Sequence, residues 1–265
     1  MTVSDPNLIE ELHRVAAALA DVARGETLAH FRKADLSIES KATAFDPVTV
    51  ADRAAEAAMR ARLAELRPQD GIVGEEFGVT EGTSGLTWIL DPIDGTRGYM
   101  SGTPTWGVLI AVANDAGPLL GVIDQPYIGE RFVGGLGTAS VIGPQGDAPL
   151  KTRDARPLDQ AVLFTTFPEV GTLDDRQAFE RVAAKARLTR YGMDCYAYAL
   201  VAAGQVDLVI EAGLASYDIA APIAVIEAAG GIVTDWEGGP VHDGGRALAA
   251  ANRAIHAEAL ALLAG

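Results

Sequence analysis

Asp91 and Asp94 leave an apolar run three residues apart and precede a threonine, in Trp88-Ile89-Leu90-Asp91-Pro92-Ile93-Asp94-Gly95-Thr96. Carboxylates at that spacing on the exit from a strand can share one or two divalent cations, and the Ile93 carbonyl between them offers another hard oxygen. Pro92 stiffens the exit, and Gly95 lets the backbone approach an anion. Taken alone, Asp-Pro and Asp-Gly are equally ordinary turn punctuation, so the other acids of the chain have to decide between the two readings.

Four further fragments put acids where elements begin or end. Asp46-Pro47-Val48-Thr49-Val50-Ala51-Asp52 opens a helix with Asp52 near its start, and Gly74-Glu75-Glu76 follows a short apolar strand. Glu211-Ala212-Gly213-Leu214 leaves a strand, and Tyr217-Asp218-Ile219-Ala220-Ala221 enters a helix. Singly, each acid also fits a cap or loop position, Asp52 and Asp218 in particular. Together they form an array of hard oxygens, which suits Mg²⁺; His13, His30, His242 and His256 have no metal-ligand spacing, and packing or surface roles suit them better.

The elements that must hold these acids follow from periodicity. A helix starts at Ser4-Asp5-Pro6, with Leu8, Ile9, Leu12, Val15, Ala16, Leu19 and Val22 on one side. A second runs from Asp46-Pro47 to Pro68, after an irregular segment containing Lys41 and Thr43. From Gly71 short apolar runs predict a largely antiparallel sheet: Ile72 to Val73, Leu86 to Leu90, Gly107 to Ala113, Leu119 to Ile123, Arg131 to Val133 and Ala139 to Ile142. Beyond Leu150 strands and helices alternate: strand 161–165, helix 174–186, strand 188–191, helix 195–203, strand 206–210, helix 219–229, strands near Ile232 and Ala247, and a last helix from Asn252. Helices beside two sheets imply a layered α/β arrangement. Gly134-Gly135-Leu136-Gly137-Thr138 has no helix after it and reads as a hairpin turn, and Trp88, Trp106 and Trp236 read as packing residues.

Composition excludes several classes. The 265 residues carry 36 acidic and 21 basic side chains, a formal charge of −15, which argues against a nucleic-acid or anionic-membrane partner and for a small or cationic one. Cys195 is the single cysteine, so neither an internal disulfide nor a multi-cysteine zinc site can form, and a buried apolar role suits it better than a nucleophilic one. With no apolar run of bilayer length and no signal-type N-terminus, the expected compartment is the cytoplasm.

In order and approximate spacing, Asp46-Pro47-Val48-Thr49 with Asp52, Gly74-Glu75-Glu76, Asp91-Pro92-Ile93-Asp94-Gly95-Thr96, and Tyr217-Asp218 with Ala220-Ala221, followed by Gly230-Gly231, resemble the inositol monophosphatase family of Mg²⁺-dependent, lithium-sensitive phosphatases. The resemblance runs from about Lys41 to the C-terminus. It implies a five-layered αβαβα sandwich of the inositol monophosphatase and fructose-1,6-bisphosphatase type. One compact catalytic unit would then comprise an N-terminal half, 1–150, with most metal ligands and a C-terminal half, 151–265, with Asp218 and the substrate side. It further implies two or three Mg²⁺ ions on Glu75, Asp91, the Ile93 carbonyl, Asp94 and Asp218, a water-activating pair of Thr96 and Asp52 working with Glu75, phosphate at the Gly95 and Thr96 amides, and a homodimer.

Substrate choice belongs to residues near the leaving group. Arg97 to Trp106, Asp194-Cys195-Tyr196 and Gly213-Leu214 ahead of Tyr217-Asp218 resemble the histidinol-phosphate phosphatase branch, although Met193 stands where that branch commonly has glycine. Histidinol phosphate offers an ammonium and an imidazole, for which Asp194 and Glu211 are the carboxylate partners. Inositol phosphate offers hydroxyls that Glu211 can also take, and capping of the following helix is the other reading of Asp194. Sugar bisphosphates or nucleotide phosphates call for further cations, of which Arg97 and Arg190 are the candidates. A structural cation site in a non-catalytic protein is the alternative from a different class, and the pairing of Thr96 with Asp52 speaks against it.

Overall fold

The computed structural model describes residues 4–33, 38–40 and 47–265. Lys41 and Thr43 of the irregular segment, and Asp46 of the second-helix motif, lie outside the described residues. Helix α1 (Pro6–His30) begins as its sequence predicts: the Asp5 side chain accepts from the Asn7 amide, and Pro6 stands in the first turn, where an amide is dispensable. An antiparallel pair, β1 (Ile38–Ser40) and β2 (Pro47–Thr49), leads into α2 (Val50–Leu66). That helix starts later than its sequence suggests because Thr49 caps it in a box with Asp52, which leaves Pro47 in the strand.

The first sheet holds β3 (Gly71–Gly74), β4 (Gly78–Thr80), β5 (Thr87–Asp94), β6 (Gly107–Asn114), β7 (Gly117–Gln125), β8 (Glu130–Gly135), β9 (Thr138–Ile142) and β10 (Ala148–Pro149), and α3 (Thr96–Ser101) joins β5 to β6. Its order is β10-β9-β8-β7-β6-β5-β3-β4, antiparallel except for β3 beside β5. Leu136 and Gly137 both take positive φ in the β8–β9 turn, the hairpin expected there. The chain continues through β11 (Val162–Thr165), α4 (Leu173–Ala183), β12 (Leu188–Tyr191), α5 (Asp194–Ala202), β13 (Leu208–Leu214), α6 (Ser216–Ala228), β14 (Ile232–Thr234), β15 (Gly245–Ala250) and α7 (Arg253–Ala264). These strands form a second sheet, β12-β11-β13-β15-β14.

Side-chain alternation along the central strands defines the layers. On β6, Val108, Ile110 and Val112 pack with Leu12, Leu19 and Met59 of α1 and α2, while Leu109 and Ala111 pack with Tyr198 and Ile219 of α5 and α6. On β13 and β15, Val209, Ala247 and Ala249 join that same inner cluster, and Leu208, Ile210, Leu248 and Ala250 face Phe179 and Leu263 of α4 and α7. The stack is therefore helices, sheet, helices, sheet, helices: the αβαβα sandwich. α6, covered on both sides, is buried from Ile219 through Ile226, as an all-round apolar helix must be.

Two contacts tie α1 to the elements that carry the acids. Asp124 on β7, fully buried, accepts from Arg24 Nε at 3.0 Å and Nη2 at 2.6 Å and from Arg131 Nε at 2.7 Å. Tyr99 of α3 donates its hydroxyl to the Thr27 carbonyl at 2.7 Å and packs with Phe31 and Trp106, which docks the helix after Thr96 on the end of α1.

Candidate active site

Residues three apart on a regular strand point to opposite faces, so a flat β5 would separate Asp91 from Asp94. The pairing of β5 with β6 shifts register between those two residues, and this irregularity turns both carboxylates to one point. There they meet Asp218 from the first turn of α6, with ligand oxygens of all three within 4.8 Å of one another. Asp218 also accepts the Ala215 amide at 2.7 Å, so the same carboxylate caps its helix and faces the cluster. The cap reading and the site reading of this residue are therefore compatible.

Asp52, Glu75 and Glu76 form an adjoining cluster within the same span. Asp52 Oδ2 accepts from the Thr49 amide at 2.8 Å and the Thr49 hydroxyl at 2.6 Å, and Oδ1 faces Thr96 Oγ1 at 3.4 Å. Thr96 Oγ1 lies 3.2 Å from the Ile93 carbonyl as well. Its single proton serves one acceptor at a time, and its lone pairs remain able to accept from a third group such as water.

The electrostatics are those of crowded acids, with Arg53 Nε, 3.7 Å from Glu76 Oε2, as one compensating charge. Burial, then Glu75, Asp94 and Asp218, push the Asp91 carboxyl well above the ordinary range; burial, then Asp194 and Asp218, do the same to Asp94. Burial lifts Asp52 to about 6 and Asp218 to about 7. Every donor in both clusters is a carboxylate oxygen, so the residues fit a hard divalent cation, which would supply the charge that keeps them ionised.

On the other wall, α5 is locked against the exit of β5. The Cys195 amide donates to Asp94 Oδ2 at 2.5 Å, and Asp194, itself at φ 46°, lies so close to Gly95 that a Cβ there would sit 2.7 Å from its Cγ. Gly95 takes φ 87°, open to glycine alone without strain. Met193 is the N-cap of α5 and the Asp94 carboxylate takes the Cys195 amide, so Asp194 is not the cap of that helix; its carboxylate meets Thr105 Oγ1 at 3.3 Å, and burial followed by Glu211 lifts it to about 6. Glu211 on β13 accepts from the Thr166 amide at 3.0 Å, the Thr166 hydroxyl at 2.5 Å and the Tyr198 hydroxyl at 2.9 Å. A cleft of about 340 Å³ runs between the walls, lined among others by Glu75, Asp94 to Arg97, Phe167, Asp194, Glu211 and Asp218.

With that geometry in place, the relatives are informative. The family model described as the inositol monophosphatase family matches residues 8–264. The chain belongs to the inositol monophosphatase family. It is 43% identical over 233 residues to the bifunctional phosphatase IMPL2 of Arabidopsis thaliana, covering 86% of this chain and 66% of that longer protein. It is 36% identical to a histidinol-phosphatase of Streptomyces coelicolor, over 97% of this chain and 98% of that one. The solved structure of an inositol monophosphatase from Zymomonas mobilis superposes with a TM-score of 0.84 at 38% identity, over 97% of this chain and 98% of the other. This inositol monophosphatase family member is accordingly a phosphatase of a metal-dependent family acting on small phosphate esters.

Within this family member, Asp52, Glu75, Asp91, Asp94, Thr96 and Asp218 converge from four separate segments. Ile93 joins them through its carbonyl, and Gly95 through the turn beside them. Arg97 reaches the cleft mouth, its guanidinium 4.8 Å from the centre of the Phe167 ring. Arg190 does not line the cleft: it is exposed on the edge strand β12. Sequence reasoning passes over Phe167, Thr166 and Tyr198; only their proximity to Glu211 and Arg97 marks them, and that proximity is a tertiary fact.

Proposed function

We propose that the chain hydrolyses histidinol phosphate to histidinol and inorganic phosphate, as a step of histidine biosynthesis in the cytoplasm. Two or three Mg²⁺ ions on Glu75, Asp91, the Ile93 carbonyl, Asp94 and Asp218 would serve this reaction. When bound, such ions neutralise the phosphoryl oxygens, acidify the attacking water and stabilise the leaving alkoxide. Thr96 would accept a hydrogen bond from the water while its own hydroxyl donates to Asp52, so that a proton leaving the water is relayed through the Thr96 oxygen to the Asp52 carboxylate. The amides of Gly95 and Thr96 receive phosphate, and Asp194 and Glu211 receive the cationic end of the leaving group, with Arg97 at the mouth.

The observation that carries the substrate is the placement of Asp194 and Glu211 on the cleft wall beside the Asp94 turn. Two carboxylates lining one cleft favour an ammonium or imidazolium over a neutral polyol. The near full-length match to a histidinol-phosphatase supports the same reading. A second reading, an inositol-1-phosphatase of broad specificity, is favoured by the likeness to the Zymomonas inositol monophosphatase. Measuring kcat/KM for histidinol phosphate and inositol 1-phosphate at one Mg²⁺ concentration separates them; parity or a preference for the inositol ester overturns the first. We also propose one catalytic unit in two halves, 1–150 and 151–265, paired as a homodimer, which sedimentation tests.

A further inference from the structure

We propose that Glu56, on α2 and outside the cleft, is a positioning residue that holds the Glu75-Glu76 turn at the distance a cation requires. Glu56 is fully buried, an expensive place for a carboxylate, and its oxygens are committed to one task. Oε2 accepts the Glu76 amide at 2.7 Å, and Oε1 accepts the Phe77 amide at 3.2 Å and Arg60 Nε at 2.7 Å. Arg60 extends the grip, donating to the Gly78 carbonyl at 2.5 Å and to Thr80 Oγ1 at 3.0 Å, with its guanidinium 5.9 Å from the Phe77 ring centre. The turn from β3 to β4 is thus fastened to one helix at four backbone or side-chain points. The closeness of fit shows at Gly74, where any Cβ would lie 2.0 Å from Glu56 Oε1.

Glu56 stands four residues after Asp52, one turn along the same helix face. A single helix therefore places Asp52 directly and fixes the backbone of the Glu75-Glu76 turn through Glu56, and the three acids come within 4.8 Å of one another. Outer residues that orient ligands change metal affinity by about 10- to 100-fold when altered. Glu56→Gln keeps the shape but turns an NH₂ toward one of the two amides, so the turn loses an anchor.

The inference rests on the metal reading of the acidic clusters, and its test is arranged to separate the two. Mn²⁺ binding to the full chain is followed by the electron paramagnetic resonance of the free ion, beside thermal melts, for the parent, Glu56→Gln, Glu56→Asp and a control, Leu12→Ala, which loosens the α1–α2 core. The expected result is Mn²⁺ affinity about tenfold or more weaker in Glu56→Gln, with Leu12→Ala melting lower at unchanged affinity. Glu56→Asp, one methylene short of reaching both amides, carries the test if the glutamine variant fails to fold. Parent-like affinity in the Glu56 variants, or equal weakening in Leu12→Ala, overturns the positioning role; no Mn²⁺ binding by the parent overturns the metal reading itself.

Discussion

Asp94 accepts the Cys195 amide from one wall of the cleft while sharing a carboxylate cluster with Asp91 and Asp218 on the other. An asparagine keeps the shape and the acceptor for that amide but removes a repelled charge and a hard ligand. Asp94→Asn should therefore lose phosphate release by at least about 10²-fold, the scale of a lost electrostatic catalytic group, while the chelated variant melts no lower than the chelated parent. Near-normal metal-dependent turnover would remove Asp94 from the ligand set. Asp194 divides the substrates instead. Asp194→Asn should cost histidinol phosphate about 10- to 100-fold in kcat/KM, the size of a charge-assisted hydrogen bond, and leave glycerol 2-phosphate nearly unaffected. Equal losses on both esters would assign Asp194 to the architecture of the turn and not to the leaving group.

At the scale of elements, the clamp on α1 is the clearest stability term. Asp124 is buried with two arginines aimed at it, so Asp124→Asn leaves Arg24 without its anion and Arg131 with only the exposed Asp21, and should cost about 3 kcal/mol in urea unfolding, most of it absent from an Arg24→Met variant that keeps Arg131 paired. This level also shows what is legible in a sequence. The helices around Leu12 and Ile219, the β6 run and the β8–β9 hairpin follow from periodicity and turn chemistry, since local spacing alone encodes them. α3 is legible only as a helical turn beginning at Gly95 and Thr96, because six residues between two glycines contain too little of a 3.6 period to mark its length. β13 runs past Glu211 to Leu214 through an irregular register with β15, which no alternation of side chains announces. The acids themselves are legible as short motifs, whereas the register shift in β5 that unites two of them, and the exposure of Arg190 on an edge, depend on neighbouring strands.

For the whole molecule, the crowded acids link folding to pH and to cations. Asp52 and Asp218 titrate near 6 and 7 when folded, against 3.8 ordinarily. A carboxyl raised in this way lends stability that is complete below its unfolded pKa and is lost as pH rises through the folded one. With chelator present, the contribution of these two acids to the melting temperature should therefore fall from about pH 4, where the unfolded carboxyls ionise, to about pH 8, past the folded values, and added Mg²⁺ should restore most at the alkaline end. A melting temperature independent of pH in chelator would contradict the crowding. The layered stack has one more consequence, which concerns time. The acids arrive from β5 in the first sheet and from α6, the helix enclosed between both sheets, so no stretch that leaves the ribosome before Asp218 contains the full set. The Asp91-Asp94-Asp218 cluster is therefore complete only once α6 has docked between the sheets, and a cation held by those three acids together would report the closing of the second half of the chain over the first.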